Sequence, residues 1–321
     1  MNCLYCGKGI KEFSSREEKE NGWHDSCVKK FFGIHNMPVL DVSEKQLLEL
    51  ANAAVKKGLT VPGIQKKLSL HLSCDTQARL TIVDYPTGYI LKPQTEEFDS
   101  LPEFEDCAMR LAALAGIQTV PHALIRMKGD YAYITKRIDR DIRENAVRFY
   151  AMEDFCQLST RLTQDKYKGS YESCARIIRK YSSRPGLDLS ELFLRVSFSF
   201  LIGNSDMHLK NFSLRETEPG NRIYCMSEAY DLLPVNIIMP EDEEQLALTL
   251  NGKKKNIRRK DFLQFAENCG IPAKSANAML NKLYSLKDSF LAQCDRAYLS
   301  NPLKAKTKEL ILQRTEEIGQ D

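Results

Sequence analysis

The run Leu192-Phe-Leu-Arg-Val-Ser-Phe-Ser-Phe-Leu-Ile202 is apolar almost throughout and is broken off by Gly203. A run so continuous does not suit a surface helix with one wet face, so it reads as a helix buried inside a substantial core. The polar loop Gly203-Asn-Ser-Asp-Met-His-Leu-Lys-Asn211 leaves it abruptly and carries Asp206 and Asn211 five residues apart. Beyond the loop, Asn211-Phe-Ser-Leu214 and Arg222-Ile-Tyr-Cys-Met226 read as short strands about the turn Glu218-Pro-Gly-Asn221, which puts Asp231 just after a hairpin.

That spacing suits phosphoryl transfer. One carboxylate must stay clear of metal to align the attacking hydroxyl, while other oxygen ligands hold the magnesium that neutralises a triphosphate. Asp206 fits the base, and Asn211 and Asp231 fit the metal ligands. An Asp and an Asn five apart are common in turns, so the pair gains meaning only from the helix before it and the hairpin after it.

At 321 residues and 43% hydrophobic content, the chain can form two lobes, or one large domain with an appendage. No stretch approaches the roughly 18 to 20 unbroken apolar residues of a membrane span, and the start Met1-Asn-Cys-Leu-Tyr-Cys6 lacks a basic-then-apolar signal pattern. A cytoplasmic protein with no membrane partner is therefore expected. The net charge of +3 does not argue for nucleic acid. Asn251-Gly-Lys-Lys-Lys-Asn-Ile-Arg-Arg-Lys260 is the one dense basic run, either a solvated loop or a patch able to touch the phosphates of a nucleic-acid-bound partner; no direct nucleic-acid binding is expected.

Most of the ten cysteines sit singly in apolar helical patterns, as inert thiols do. Cys3-x-x-Cys6 and His24-x-x-Cys27 differ, because two chelating pairs of soft ligands suit one tetrahedral zinc ion. A closed four-ligand site is structural, and a metal staple would explain how so short a segment folds; a cluster of free thiols is the alternative.

Ser43-Glu-Lys-Gln46 has capping-box spacing and opens an amphipathic helix that Gly58 ends. Gly58-Leu-Thr-Val-Pro-Gly-Ile-Gln-Lys-Lys67 is either a phosphate-covering loop or an ordinary turn, since it matches neither a P-loop nor the common kinase glycine motif. A strand over 68–72 follows. Segments 79–83 and 89–92 bracket Asp84-Tyr-Pro-Thr-Gly88 and are expected to pair as a hairpin ending in Lys92. The next helix, 102–116, offers Glu103 and Glu105, of which Glu105 is expected to hold Lys92 against the α- and β-phosphates. A second hairpin, 122–127 with 131–135 around Lys128-Gly-Asp130, leads to the linker Lys136-Arg-Ile-Asp-Arg140, where two lobes would hinge. Helices are expected at 152–162, 171–181, 189–202, 258–269, 273–286 and 302–317.

From about Gly58 to about Gly270 these elements resemble the HipA-like serine/threonine kinases, the toxin components of bacterial toxin–antitoxin modules. The resemblance is carried by Gly63-Ile-Gln-Lys-Lys67, Tyr89-Ile-Leu-Lys-Pro93, Met152-Glu-Asp-Phe-Cys-Gln157, Lys166-Tyr-Lys-Gly-Ser-Tyr-Glu172, Gly203-Asn-Ser-Asp-Met-His-Leu-Lys-Asn-Phe212 and Tyr230-Asp-Leu-Leu-Pro234. It implies an α+β, bilobal, protein-kinase-like fold with a β-rich N-lobe at 41–140 and a helical C-lobe at 141–321, to which the cysteine and histidine spacing adds a small zinc knuckle at 1–40. It also implies ATP and Mg2+, with Asp206 as base, Asn211 and Asp231 on magnesium, Lys92 on the phosphates and His208 near the nucleotide. The backbone of Lys136, Arg137 and Ile138 would meet adenine, although relatives often carry Glu at 136 and Phe at 138. Thr60, Val61, Gly63, Gln65 and Lys67 would form the nucleotide loop, with Glu105 behind it. Thr60 stands where relatives carry a phosphorylatable hydroxyl, and a phosphate there would repel ATP and silence the enzyme.

The short cysteine knuckle replaces the extra subdomain of longer HipA proteins, which resembles the compact, HipT-like branch. The resemblance implies a serine or threonine of a translation enzyme as substrate, an aminoacyl-tRNA synthetase by family analogy. It further implies a helix-turn-helix antitoxin and a separate small protein standing in for the missing subdomain. Two other readings stay open: a small-molecule kinase using the same Asp-x-x-x-x-Asn logic, and a zinc-stapled pseudokinase that only binds.

Overall fold

In Leu68-Ser-Leu every second residue is apolar, and the strand they form turns that side inward, burying Leu68 and Leu70 and exposing Ser69. The computed structural model describes residues 1–42, 67–73, 77–82, 87–127, 129–143 and 146–319. They form two compact units, Met1–Asp106 with Val120–Val147, and Cys107–Thr119 with Arg148–Asp321.

The first unit opens with helices α1 (Arg16–Asn21) and α2 (Asp25–Phe32). Six strands follow: β1 (Val39–Asp41), β2 (Leu68–Ser73), β3 (Arg79–Thr81), β4 (Tyr89–Pro93), β5 (His122–Met127) and β6 (Asp130–Lys136), in the spatial order β1-β3-β2-β4-β6-β5. Only β1 and β3 run parallel. Helix α3 (Leu101–Ala115) lies between β4 and β5 in the chain, and β7 (Arg140–Arg143) pairs with β8 (Ala146–Phe149). The hairpin expected between 79–83 and 89–92 does not form. β2 lies between those strands and pairs with both, because Leu68 and Leu70 share one buried layer with Leu80 and Leu91. The helix expected from Ser43 to Lys57 lies outside the described residues.

An edge strand presents unpaired backbone groups that invite foreign pairing. On β5 the N-terminal segment covers them: the Leu124 N–H donates to the Leu4 carbonyl at 3.2 Å, and Trp23 Nε1 donates to the Leu124 carbonyl at 3.1 Å. Tyr5, Trp23, Phe31, Phe32 and Tyr89 stack around this seam with ring centroids 4.9–5.9 Å apart. The knuckle therefore shares a core with the sheet.

The second unit is built around α6. Its helices are α4 (Phe155–Leu158), α5 (Tyr171–Tyr181), α6 (Pro185–Ile202), α7 (Val235–Ile238), α8 (Arg259–Asn268), α9 (Ala273–Ser285), α10 (Lys287–Arg296) and α11 (Asn301–Gly319), with β9 (Met152–Asp154), β10 (Ser213–Glu216) and β11 (Tyr224–Met226) in the antiparallel order β11-β10-β9. Every residue of α6 from Leu192 to Ile202 is buried, as the apolar run requires. Pro185 starts this helix earlier than expected, since a proline at the first position lacks only an N–H that would be unpaired anyway. The single helix expected over 152–162 is instead a strand and one helical turn. Met152–Asp154 pairs with β10, and the Asp154 side chain caps α4 in a box with Gln157. Helix α10 was not expected as a separate element.

The basic run is compensated internally. Lys253 pairs with Asp261, Lys254 with Glu244, Lys255 with Glu243 and Arg258 with Glu317, at 2.7–3.0 Å. Arg259 is buried and donates to the Ile318 carbonyl and to Asn277. Among the described residues, no helix is long and apolar enough to cross a membrane.

Gly203 ends α6 in the left-handed region at φ 73°, and a Cβ there would lie 2.5 Å from the Leu310 side chain. Gly203→Ala is expected to lower stability by about 1–3 kcal/mol through backbone strain and overpacking, read as a lower urea midpoint at unchanged slope.

Candidate active site

The loop leaving α6 is tied to itself before it presents any chemistry. Asn204 is fully buried and its Oδ1 accepts the Asp206 N–H at 3.1 Å. Met207, His208, Leu209 and Asn211 are buried, whereas the Asp206 carboxylate keeps 30% exposure. The loop thus holds its acid outward on a rigid base. Asn211 Nδ2 donates to the Asp206 carbonyl at 2.9 Å, which fixes the amide's orientation and leaves Oδ1 as the atom to meet a cation. Such an oxygen, with a carboxylate, is the hard donor set that magnesium prefers.

Asp206 Oδ1 accepts a hydrogen bond from the Tyr167 hydroxyl, and His208 Nε2 lies 3.9 Å from the same oxygen. Tyr167 also stands edge-on to His208, with centroids 5.1 Å apart. Burial, then the Asp206 charge, raises the Tyr167 phenol well above its ordinary range, so it keeps its proton and acts as a donor. Two further bonds strap this segment to the loop: Leu209 N–H to the Lys166 carbonyl at 3.1 Å, and the Tyr171 hydroxyl to the Met207 carbonyl at 3.1 Å.

Asp231 follows β11 with φ 55°, in the left-handed region that costs a non-glycine residue about 1 kcal/mol. Strain of this kind persists where the surroundings over-determine it, and it recurs at functional sites. The preceding Tyr230 is half-buried, burial around its ring holds its phenol up, and it donates to the Lys210 carbonyl at 3.1 Å.

In the first unit, Lys92 Nζ meets Glu105 Oε1 at 2.5 Å with side chains only 4% and 2% exposed, and it lies 5.3 Å from the Tyr133 ring centre. In a pair this buried each group offsets the desolvation of the other. Glu103 is left apart from it: burial, then Asp130 and Asp106, pushes its carboxyl up to about 7. Of the stretch 136–138, the Lys136 N–H donates to the Pro121 carbonyl and the Arg137 N–H to the Gly88 carbonyl, so both amides are engaged within the unit. The Lys136 ammonium lies over the Phe31 ring at 5.4 Å. Lys67 is exposed just before β2. Thr60, Val61, Gly63 and Gln65 lie outside the described residues.

The ligand atoms of Cys3, Cys6, His24 and Cys27 all lie within 4.8 Å of one another. A zinc tetrahedron with Zn–S bonds of about 2.3 Å has edges of about 3.8 Å, so the four donors fit. Cys3 and Cys6 sit on a tight turn closed by the Gly7 N–H on the Cys3 carbonyl, and His24 and Cys27 straddle the start of α2. His24 Nε2 faces the Gly9 carbonyl at 3.3 Å, which can only accept. The proton therefore belongs on Nε2, and Nδ1 turns its lone pair to Cys6 and Cys27, at 3.4 and 3.7 Å. Burial, then the neighbouring Cys3, pushes the Cys27 thiol up to about 12.

The family model for the HipA-like C-terminal domain matches residues 59–290. The chain belongs to that family. A curated relative from Sinorhizobium fredii, named "Putative kinase Y4mE", is 29% identical over 221 residues, covering 66% of this chain and 51% of its own length. The toxin–antitoxin complex of HipA, HipB and operator DNA from Shewanella oneidensis MR-1 superposes with a TM-score of 0.69 at 20% identity, covering 80% of this chain and 64% of that one. The proinflammatory kinase CtkA of Helicobacter pylori gives 0.55 at 15% identity, covering 78% and 93%. These likenesses establish a HipA-like, kinase-like fold. The chain spans about half the length of the Sinorhizobium relative and less than two thirds of the Shewanella toxin chain.

Tyr167 and Tyr230 are the side chains around the site to which the sequence assigned no role. Both fall in motifs quoted for the resemblance, but nothing local says where a tyrosine points.

Two measurements follow from this geometry. Because the folded Glu103 carboxyl binds its proton more tightly than the ordinary value of 4.5 allows, its stability contribution is intact below about 4.5 and is lost as pH rises towards 7. Glu103→Gln is expected to leave stability at pH 4 unchanged and to raise it by about 1–2 kcal/mol at pH 8, after discounting for solvent screening. Trp23 is the chain's single tryptophan and is buried at the knuckle seam. Chelation of zinc, or Cys6→Ser, is expected to red-shift its fluorescence and lower the melting temperature; zinc-free protein by elemental analysis with unshifted emission contradicts the staple.

Proposed function

We propose that the chain is an ATP-dependent serine/threonine protein kinase. The observation that carries this reading is the tied loop 204–211, which holds one partly exposed carboxylate beside an amide oriented for metal and ties both to the strained Asp231 through Lys210 and Tyr230.

In this reading the substrate hydroxyl docks on Asp206, which orients it and takes its proton as the oxygen attacks the γ-phosphorus. The bond from that phosphorus to the bridging oxygen breaks, and ADP leaves. Asn211 Oδ1 and the Asp231 carboxylate would hold magnesium, which would supply the positive charge that offsets the phosphates. Lys92, paired with Glu105, would meet the α- and β-phosphates. Tyr167, unable to ionise, fixes one oxygen of the base. Zinc at Cys3, Cys6, His24 and Cys27 is structural and takes no part in transfer.

The Shewanella structure contains an antitoxin and operator DNA, and by that likeness this chain is proposed to act as a cytoplasmic toxin with a helix-turn-helix antitoxin partner. The internal pairing of Lys253, Lys254, Lys255 and Arg258 supports leaving DNA contact to that partner. The proposed substrate remains a translation enzyme, an aminoacyl-tRNA synthetase by family analogy, and autophosphorylation of Thr60 remains the proposed off-switch.

The test compares wild type with Asp206→Asn by phosphoproteomics after induced expression, alongside Mg-ATP binding in vitro. Asp206→Asn is expected to bind nucleotide normally and to lose transfer by about 10²–10⁴-fold, with one dominant serine or threonine site missing. Equal phosphorylation by both forms, or transfer only to small molecules, rejects the proposal.

A further inference from the structure

Two ligands from different segments serve one ion only if something fixes their separation. Asn211 comes from the loop after α6 and Asp231 from the stretch after β11, and the residues just before them are hydrogen-bonded to each other. The Tyr230 hydroxyl has a single proton, which goes to the Lys210 carbonyl at 3.1 Å. Its contact with Ser213 Oγ at 2.5 Å must then be one in which Ser213 donates. Tyr230 thus reads the position of the Asn211 segment at two points, one on each side of that ligand.

The chain running into Tyr230 is gripped just as closely. Asp188 and Arg195 lie seven residues apart, two turns along one face of α6, and are 1% and 2% exposed. Asp188 Oδ2 accepts the Met226 N–H at 2.9 Å, and Arg195 Nη2 donates to the Ser227 carbonyl at 2.6 Å. The Ser227 N–H donates to the Ser213 carbonyl at 3.0 Å, and the Ala229 N–H to the Gln118 carbonyl at 2.7 Å. Buried charges are a poor source of net stability, and apolar residues of similar volume often serve as well. What they supply here is directional hold on the end of β11 and on the stretch after it, which belongs to no helix or strand.

We infer that Tyr230 is a positioning residue that sets the separation of the two proposed magnesium ligands, with Asp188 and Arg195 anchoring its segment to α6. This rests on the proposed roles of Asn211 and Asp231. Asp231, the residue after Tyr230, is left-handed at φ 55°.

The probe is Mn2+, titrated by electron paramagnetic resonance in the presence of a non-hydrolysable ATP analogue, with analogue binding in EDTA and thermal melting as controls. Tyr230→Phe keeps the ring and removes only the hydroxyl. It is expected to weaken Mn2+ about 10-fold, with metal-free nucleotide affinity held within about twofold and a cooperative melt. Ser213→Ala, which leaves the bond to Lys210, is expected to cost less. Wild-type Mn2+ affinity in Tyr230→Phe, or nucleotide affinity falling equally with and without metal, overturns the positioning role alone. Wild-type protein that takes up no Mn2+ with the analogue overturns that role together with the reading it rests on.

Discussion

The burial of α6 is the constraint on which the second unit depends. Because Leu192 to Ile202 are enclosed on every side, the helix cannot rotate or slide, and Gly203 can release the chain in one direction only. The fixed exit lets a short loop hold Asn204, Met207, His208 and Leu209 inside while Asp206 reaches solvent. A loop on a yielding base could satisfy the same hydrogen bonds in several arrangements and would not hold a carboxylate in one place.

The first unit meets a different difficulty with a different device. Its sheet ends on β5, and covering that edge falls to a segment too short to build a core of its own. The solution joins two partial structures: the knuckle supplies Leu4 and Trp23 to the edge, and the sheet supplies Tyr89 and Leu124 to the knuckle's aromatic cluster. A metal holding Cys3, Cys6, His24 and Cys27 would fix the turn that bears Leu4 relative to the helix that follows Trp23. The staple and the edge cover are therefore one structure, which explains why the soft ligands flank the residues that make the seam.

How far the residues alone reveal this depends on the range of the interaction. Asp206, Asn211 and Asp231 stand out because their spacing is set by one loop and one hairpin, and Cys3, Cys6, His24 and Cys27 because chelating pairs are local. The order of β3, β2 and β4 was not legible, since 79–83 and 89–92 bracket turn residues and nothing local shows that β2 comes between them. Segment 152–162 misled for a related reason: pairing with β10 overrides its helical pattern, and only the Asp154 cap marks the change. Arg195 looked like an interruption of an apolar run. Its partner Ser227 lies 32 positions away, and the hydroxyl of Tyr167 meets Asp206 across 39.

The contact between Tyr167 and Asp206 has a chemical consequence beyond geometry. A carboxylate proposed as the base for a hydroxyl must be held in one orientation and must not share its task with a neighbouring base. Burial and the neighbouring charge keep the Tyr167 phenol protonated, so it can donate to Oδ1 without becoming a competing base. His208, edge-on to the same ring and 3.9 Å from the same oxygen, limits how far the phenol can swing. The orientation of the Asp206 carboxylate is thus set by a tyrosine whose own segment is strapped to the loop at Leu209 and Met207.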